Sequence, residues 1–258
     1  MDLDLKGKTA LVTGSYRGTG LIIAQTLIEE GVNTLVHGLK APQAEKAVTE
    51  LGGGIAITAD ITTQEGCEEL VELANEHSLD IIVNNYGTAD PNSWKEGDSG
   101  PWFGAYEKNV LSAQRITQGL LPALLKKKWG RVINLGTTGS TKPSRKNPAY
   151  YSAKGALVAM TVSLAGELAN TGVTANIVSP GLILTPEVKQ QLVDQSAKKK
   201  EKATWEDIEA RVAKDIPIGR IVRREEVANI IAFLCSPKAD AIHGQNIKVD
   251  GGALGIVS

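Results

Sequence analysis

Seven short runs rich in β-branched and apolar residues recur along this chain, each separated from the next by a stretch long enough for a helix. They are Thr9–Val12, Asn33–His37, Ile55–Thr58, Asp80–Val83, Arg131–Leu135, Thr174–Val178 and Gln245–Val249. This alternation predicts βαβ units and a parallel sheet, because a parallel connection needs a crossover that a helix usually fills. The runs lack alternation between apolar and polar residues, which fits strands covered on both faces. The expected architecture is α/β: one doubly wound domain over 1–258, with a parallel sheet of about seven strands and helices on both faces.

Local signals agree with that plan. Ala24, Leu27 and Ile28 form an apolar stripe on the first helix, and Gly31 is a natural stop. Thr62 and Glu65 have the spacing of a capping box, as do Thr204 and Asp207. No linker or repeat divides the chain. The charge run Lys198-Lys199-Lys200-Glu201-Lys202 reads as a solvated helix end, with recruitment of an anionic substrate as the other reading.

Bulk properties exclude several classes. With 28 basic against 29 acidic residues the net charge is -1, so no broad electrostatic footprint points to nucleic acid or anionic lipid, and a small-molecule ligand is expected. Cys67 and Cys235 are far apart and outside any CxxC spacing, which fits structural thiols in a reducing compartment. The sequence opens without a basic, apolar leader and no apolar run is long enough to span a bilayer, so a cytoplasmic location away from membranes is expected. His37, His77 and His243 do not cluster, so no metal is expected.

After the first run comes Thr13-Gly14-Ser15-Tyr16-Arg17-Gly18-Thr19-Gly20, and a helix opens at once. Glycines there allow a tight turn and a close backbone approach to a pyrophosphate, while the helix N-terminus offers unpaired N–H groups. The spacing departs from G-x-G-x-x-G, so an ordinary strand-to-helix turn stays open on these residues alone. The next strand should deliver the residue that reads the adenosine ribose. It ends Val36-His37-Gly38-Leu39-Lys40, without an acid, and His37, Lys40 and Arg17 are available cations. A 2′-phosphate calls for such donors, which favours NADP(H) and leaves NAD(H) open.

Tyr150 and Lys154 stand four residues apart, on one helical face. A neighbouring ammonium in a dry cleft favours a phenolate, so Lys154 is expected to lower the pKa of Tyr150 from its usual value of about 10. Tyr151 is turned about 100° from Tyr150 and should not share its outlook.

Together these residues resemble the short-chain dehydrogenase/reductase family. The motifs run in order: Thr13-Gly14-x-x-x-Gly18-x-Gly20, Asp60-Ile61, Asn84-Asn85-Tyr86-Gly87, Asn109-Val110, Tyr150-x-x-x-Lys154, Pro180-Gly181 with Thr185, and Val249-Asp250-Gly251-Gly252. They cover essentially the whole chain. The resemblance implies a Rossmann-type fold in which Thr13, Gly14, Ser15, Arg17, Gly18, Thr19 and Gly20 form the phosphate loop and His37, Gly38 and Leu39 meet the adenosine ribose. It further implies that Asp60 and Ile61 border the adenine, and that Asn85, Tyr86 and Gly87 line the cofactor cleft. Pro180, Gly181 and Ile183 would lie near the nicotinamide, with Thr185 reaching its carboxamide or the pyrophosphate.

By the same resemblance Tyr150 exchanges the proton with the substrate, and Lys154 also holds the nicotinamide ribose. Asn109 would bind, at a backbone kink, a water leading to Lys154. Two positions depart from the family pattern. Thr137 stands thirteen residues before Tyr150, where a serine is usual, with Thr138 and Ser140 as lesser candidates. Tyr86 replaces the usual alanine.

The implied reaction interconverts a carbonyl and a secondary alcohol by hydride transfer. The segment 182–218 is expected to form a helical substrate lid, with Ile208, Val212 and Ile216 as its apolar stripe. The general look is closest to 3-oxoacyl-(acyl carrier protein) reductases, while steroid, sugar-alcohol and secondary-metabolite ketones remain alternatives. A protein that binds NADP(H) without turnover, or an epimerase or lyase, could use the same scaffold; an intact Tyr–Lys pair argues against the first. The resemblance also implies a homotetramer or homodimer, formed through the fourth helix and a fifth carrying Tyr150.

Overall fold

The computed structural model describes residues 1–95, 97–199 and 201–255. Each expected run is a strand of one sheet: β1 (Thr9–Val12), β2 (Asn33–Gly38), β3 (Ile55–Thr58), β4 (Ile81–Asn84), β5 (Gly130–Leu135), β6 (Val173–Pro180) and, last in the chain, β9 (Asn246–Val249). The sheet has seven strands in the order β3-β2-β1-β4-β5-β6-β9, and every pairing is parallel. The chain runs outward from β1 to β3, then returns to the other side of β1 with β4. Such a reversal opens a crevice at the carboxyl ends of the strands.

Helices cover both faces. On one, Ile23 and Leu27 of α1 (Gly18–Glu29) and Val227 and Ile231 of α9 (Arg224–Cys235) pack on Ala10, Val12 and Val83. α2 (Ala41–Leu51) joins α1 through Ala47. On the other face, α3 (Gln64–Asn75), α5 (Ser112–Lys127) and α6 (Pro148–Glu167) bury Leu70, Ile116 and Ala165 with Leu11 and Ile82. Neighbouring strand residues thus serve opposite cores, as pleating dictates. Cys67 and Cys235 are buried free thiols. Among the described residues no helix is long and apolar enough to cross a membrane.

A buried polar chain ties the second face together. Asn84 Nδ2 at the end of β4 donates to Thr117 Oγ1 of α5 at 2.8 Å and to Asn134 Oδ1 of β5 at 2.9 Å. Asn134 Nδ2 donates to Thr161 Oγ1 of α6 at 2.8 Å, and that hydroxyl donates to the Leu157 carbonyl at 2.7 Å.

Several local expectations need correction. α3 is capped by Thr63, whose Oγ1 accepts from the Gly66 N–H at 3.0 Å; Thr62 is drawn away because its hydroxyl donates to Asp60 at 2.7 Å. A short helix α4 (Gly100–Tyr106) and a π-helical turn (Glu107–Leu111) lead directly into α5, so the helix carrying Tyr150 is the sixth. In the lid segment α7 (Pro186–Lys198) ends in the lysine run, whose Lys200 lies outside the described residues. α8 (Trp205–Val212) has the expected reciprocal cap between Thr204 and Asp207. Ile216 falls beyond α8, in a turn before Pro217, where helical geometry is disfavoured. Two residues on each side of the lid, β7 (Ile183–Leu184) and β8 (Val222–Arg223), form a separate parallel pair too short to announce itself in the sequence.

Candidate active site

The glycine-rich loop leaves β1 with Gly14 and Gly18 both at φ +62, a backbone that side chains rarely adopt. Gly20 is required by contact: a Cβ there would lie 2.4 Å from Asn85 Nδ2 and 2.6 Å from the Gly14 carbonyl. Asn85 holds the loop from across the cleft, donating to the carbonyls of Thr13 at 2.8 Å and Gly14 at 3.2 Å. Thr13 Oγ1 in turn accepts from the Tyr86 N–H at 3.0 Å. A cleft of about 720 Å³ is lined by Gly14, Arg17, Gly18, Thr19, Gly20, Leu39, Asn85, Tyr86, Gly87 and Thr185. A Cβ on Gly18 would meet nothing within 4 Å, so the loop presents bare backbone to open space at the start of α1.

Other residues expected at the cofactor turn inward. His37 is fully buried: its Nδ1 accepts from the Gly14 N–H at 2.9 Å and its Nε2–H donates to the Ala59 carbonyl at 3.0 Å. Burial lowers its pKa to about 4, against a weaker opposing pull from the Ala59 carbonyl. It is a neutral bracket beneath the loop, and the expectation of a cation for the 2′-phosphate is corrected. Ser15 is buried too, donating to the Val12 carbonyl at 2.7 Å and accepting from the His37 N–H at 2.8 Å. The Thr13 side chain is bound within the protein and the Ile61 side chain belongs to the core. Gly38 sits under α2, where a Cβ would lie 2.9 Å from the Ala44 nitrogen. Asp60 is exposed at the rim and bonded to Thr62. Arg17 and Lys40 are the exposed cations of the original trio.

The second half of the cleft, about 560 Å³, is built by β5, the turn after it and α6. Thr137 starts that turn: its Oγ1 accepts from the Gly139 N–H at 3.2 Å, and the Ser140 hydroxyl donates to the Thr137 carbonyl at 2.8 Å. Ser140 therefore shapes the turn, while Thr137 and Thr138 line the cavity. α6 begins with Asn147 in the left-handed region (φ 55) and Pro148 at its first turn, a start that both residue types suit. One turn on, Tyr150 and Lys154 enter the cavity, where the Tyr150 phenol comes close enough to the Thr137 side chain to feel its polarity.

Tyr151 lines the cavity as well, edge-on to Tyr150 with ring centroids 5.2 Å apart. Its ring lies over Gly139, where a Cβ would come within 2.0 Å of Cε1. The expected lowering of the Tyr150 pKa is also corrected. Burial pushes the phenol up to about 12, with Tyr151 adding to the rise and the Thr137 side chain opposing it. Lys154 is 3% exposed, and its burial lowers the ammonium to about 8. Its Nζ donates to the Leu135 carbonyl at 2.7 Å.

Asn109 lies in the π-helical turn, 1% exposed, with Nδ2 donating to the carbonyls of Thr88 at 3.0 Å and Ala105 at 2.9 Å. Its Oδ1 has no hydrogen-bond partner among the described residues. A Cβ on Gly87 would lie 2.5 Å from that oxygen and 3.1 Å from Lys154 Nζ, so Gly87 keeps open a pocket between them. Pro180, Gly181, Ile183 and Thr185 form the opposite wall, where Thr185 Oγ1 caps α7 by accepting from the Val188 N–H at 3.2 Å. The sequence reading missed Leu135 and Lys142, which also line the cavity, as does Val188 of the expected lid segment. Only Lys142 carried a signal, as a cation a few residues after Thr137.

A family model described as enoyl-(acyl carrier protein) reductase matches residues 14–253. The chain is 35% identical to a D-beta-hydroxybutyrate dehydrogenase of Cupriavidus necator, over 96% of this chain and 98% of that one. It is 33% identical to the 3-oxoacyl-(acyl-carrier-protein) reductase FabG of Haemophilus influenzae, over 96% and 98%. The structure of L-sorbose reductase from Gluconobacter frateurii, complexed with NADPH and L-sorbose, superposes with a TM-score of 0.93 at 30% identity, covering all of both chains.

The buried His37 generates a pH prediction. Its pKa is lower in the fold than in the unfolded chain, so the unfolded state takes up the proton first. The stabilisation is therefore fully present above about pH 6.5 and lost as pH falls toward 4. A shift of this size corresponds to about 3 kcal/mol. Urea unfolding between pH 7 and 4 should show that loss, and His37→Gln should show much less of it. An equal loss in the variant would place the effect elsewhere.

Proposed function

The chain belongs to the short-chain dehydrogenase/reductase family, and from that premise we propose that it is an NADP(H)-dependent oxidoreductase interconverting a carbonyl and a secondary alcohol, with Tyr150 as proton donor and acceptor. One observation carries this reading: Thr137, Tyr150 and Lys154 share a cavity that runs into the glycine-loop cleft through Asn85, Gly87, Leu135 and Thr185.

The residues fit a dinucleotide. Gly14, Gly18 and Gly20 with the α1 N-terminus suit the pyrophosphate, Arg17 and Lys40 the 2′-phosphate, and the gap kept by Gly87 beside Lys154 the nicotinamide ribose. NADP(H), when bound, supplies or accepts the hydride. The chain's own residues handle orientation and the proton. In reduction, the Thr137 hydroxyl and the Tyr150 phenol hydrogen-bond the substrate oxygen, and the phenol gives its proton as that oxygen gains charge. A phenol at about 12 is fully protonated at neutral pH, which suits reduction. Lys154, fixed by Leu135, keeps a positive charge beside the reacting oxygen while it stays protonated. The segment 182–218, with α7 and α8, is the substrate lid of this reading.

Tyr150→Phe should reduce turnover at least about a hundredfold with cofactor binding intact, and Tyr151→Phe should cost little. Carbonyl reduction should be level below pH 8 and fall above it, as the Lys154 ammonium is lost. A fall that begins only near the phenol's own range would show that the lysine charge is not needed. These assays start from NADPH consumption with ketones, aldehydes and acyl thioesters.

Arg17 pairs with Glu187 of α7 at 3.9 Å, both well exposed, an arrangement weak enough to yield to a phosphate. NADPH should bind about tenfold or more tighter than NADH, and Arg17→Ala should narrow the gap. Equal affinities in a binding titration would remove the NADP(H) assignment. We also propose a homotetramer or homodimer through α5 and α6, where Val162 of α6 stands exposed, as does Phe103 of the preceding α4. Light scattering at micromolar concentration should give a mass of two or four chains; a monomer would overturn this.

A further inference from the structure

The stretch from Lys108 to Gly166 contains no Asp or Glu, in a chain whose charges otherwise balance at 28 basic and 29 acidic residues. That stretch forms α5, β5, the Thr138–Ser140 turn and most of α6, so it supplies Thr137, Tyr150 and Lys154. Between the turn and α6 it runs exposed from Thr141 to Lys146, with cations at Lys142, Arg145 and Lys146.

Lys142 lines the reaction cavity together with Thr137 and Tyr150. No carboxylate lines that cavity, and Lys142 is in no ion pair with any described residue. Lys154, the cavity's other cation, is buried and bonded to Leu135. Of the acids of the adjoining cleft, Asp90 is paired with Lys108 at 2.6 Å, and Glu187, which meets Arg17 at 3.9 Å, lines the loop half and not the reaction half. The Lys142 backbone is tied to the turn that positions Thr137, its N–H donating to the Thr138 carbonyl at 3.1 Å. The ammonium is therefore carried on the same turn as the hydroxyl that meets the carbonyl. Leu182, Ile183 and Val188 make the facing wall apolar.

Resting on the oxidoreductase reading, we propose that Lys142 is a specificity residue for a small anionic substrate. The carbonyl lies at Thr137 and Tyr150, a carboxylate at Lys142, and the carbon skeleton against the lid wall. An anion held there satisfies the one free cation among the described residues of the cavity, which no carboxylate among those residues opposes.

The test uses the full chain with NADPH and paired substrates: a short 3-oxo acid beside its methyl ester, and a keto sugar acid beside a neutral ketose. The wild type should favour one of the acids, with a KM that rises with salt. Because Lys142 is exposed, Lys142→Met should fold normally. It should raise KM for the acid about tenfold, the scale of a partly desolvated ion pair, leave kcat within about twofold and leave the neutral partner unaffected. Lys142→Glu should go further in the same direction.

If ester or ketose is used as well as the acid, and Lys142→Met moves neither KM, the inference is wrong while the oxidoreductase reading stands. The same holds if a neutral acyl thioester of the 3-oxo acid is preferred to the free acid. If no carbonyl compound, charged or neutral, drives NADPH consumption, the reading of the site fails and takes this inference with it.

Discussion

The site depends on the buried polar chain from Asn84 through Asn134 to Thr161. Amides and hydroxyls placed between a sheet and its covering helices are costly unless they find partners, and here most find each other across β4, β5, α5 and α6. Each bond fixes a register. Asn84 precedes Asn85, which holds the glycine loop; Asn134 lies three residues before Thr137; and Thr161 lies two turns beyond Lys154 on the helix that carries Tyr150. A slide of α6 along the sheet would break the Asn134–Thr161 bond and strand two polar groups in the core. The distance between the glycine loop and Tyr150 is thus set from below, by groups that line neither half of the cleft.

His37 does the same for the loop itself. A glycine loop is valued for its bare backbone, but its freedom must be removed on the side away from the ligand. The imidazole does so by accepting from the Gly14 N–H and donating to Ala59, joining the ends of β1, β2 and β3. Only the neutral tautomer can make both bonds, so the burial that suppresses its charge also sets its hydrogen-bonding pattern.

The seven strands were legible because strands buried on both faces must be apolar and β-branched, and their spacing left room for the crossovers. The Tyr150–Lys154 pairing was legible from helical periodicity. What escaped was set by non-local contacts. Nothing in Val36-His37-Gly38 shows that the imidazole lies under the loop, because its partners, Gly14 and Ala59, come from other turns of the chain. The rise in the Tyr150 pKa escaped because sequence spacing gives proximity to Lys154 but gives neither the burial of the phenol nor the Leu135 carbonyl that claims the ammonium. Tyr151 reaches the cavity because Gly139 leaves room for its ring, a contact between turn and helix that no period encodes. The π-helical turn at Asn109 is similarly a product of packing, since its amide reaches both Ala105 and Thr88.

The two halves of the cleft differ in charge without a wall between them. The loop half holds its acids, Asp90 and Glu187, in pairs with Lys108 and Arg17, so its field is nearly balanced until a ligand displaces a partner. Exposed pairs of this kind contribute little, roughly 0–1 kcal/mol, so exchanging Glu187 for a phosphate costs little at Arg17. The reaction half is lined by lysines and no acid, one lysine buried and fixed, the other on an exposed segment. In the proposed reaction the buried lysine would support the reacting oxygen whatever the substrate, and the exposed one would act only on a substrate that brings its own negative charge. A family scaffold of this type therefore places its general chemistry on the residues held by the core, and its choice of substrate on a turn and a lid that the core leaves free to vary.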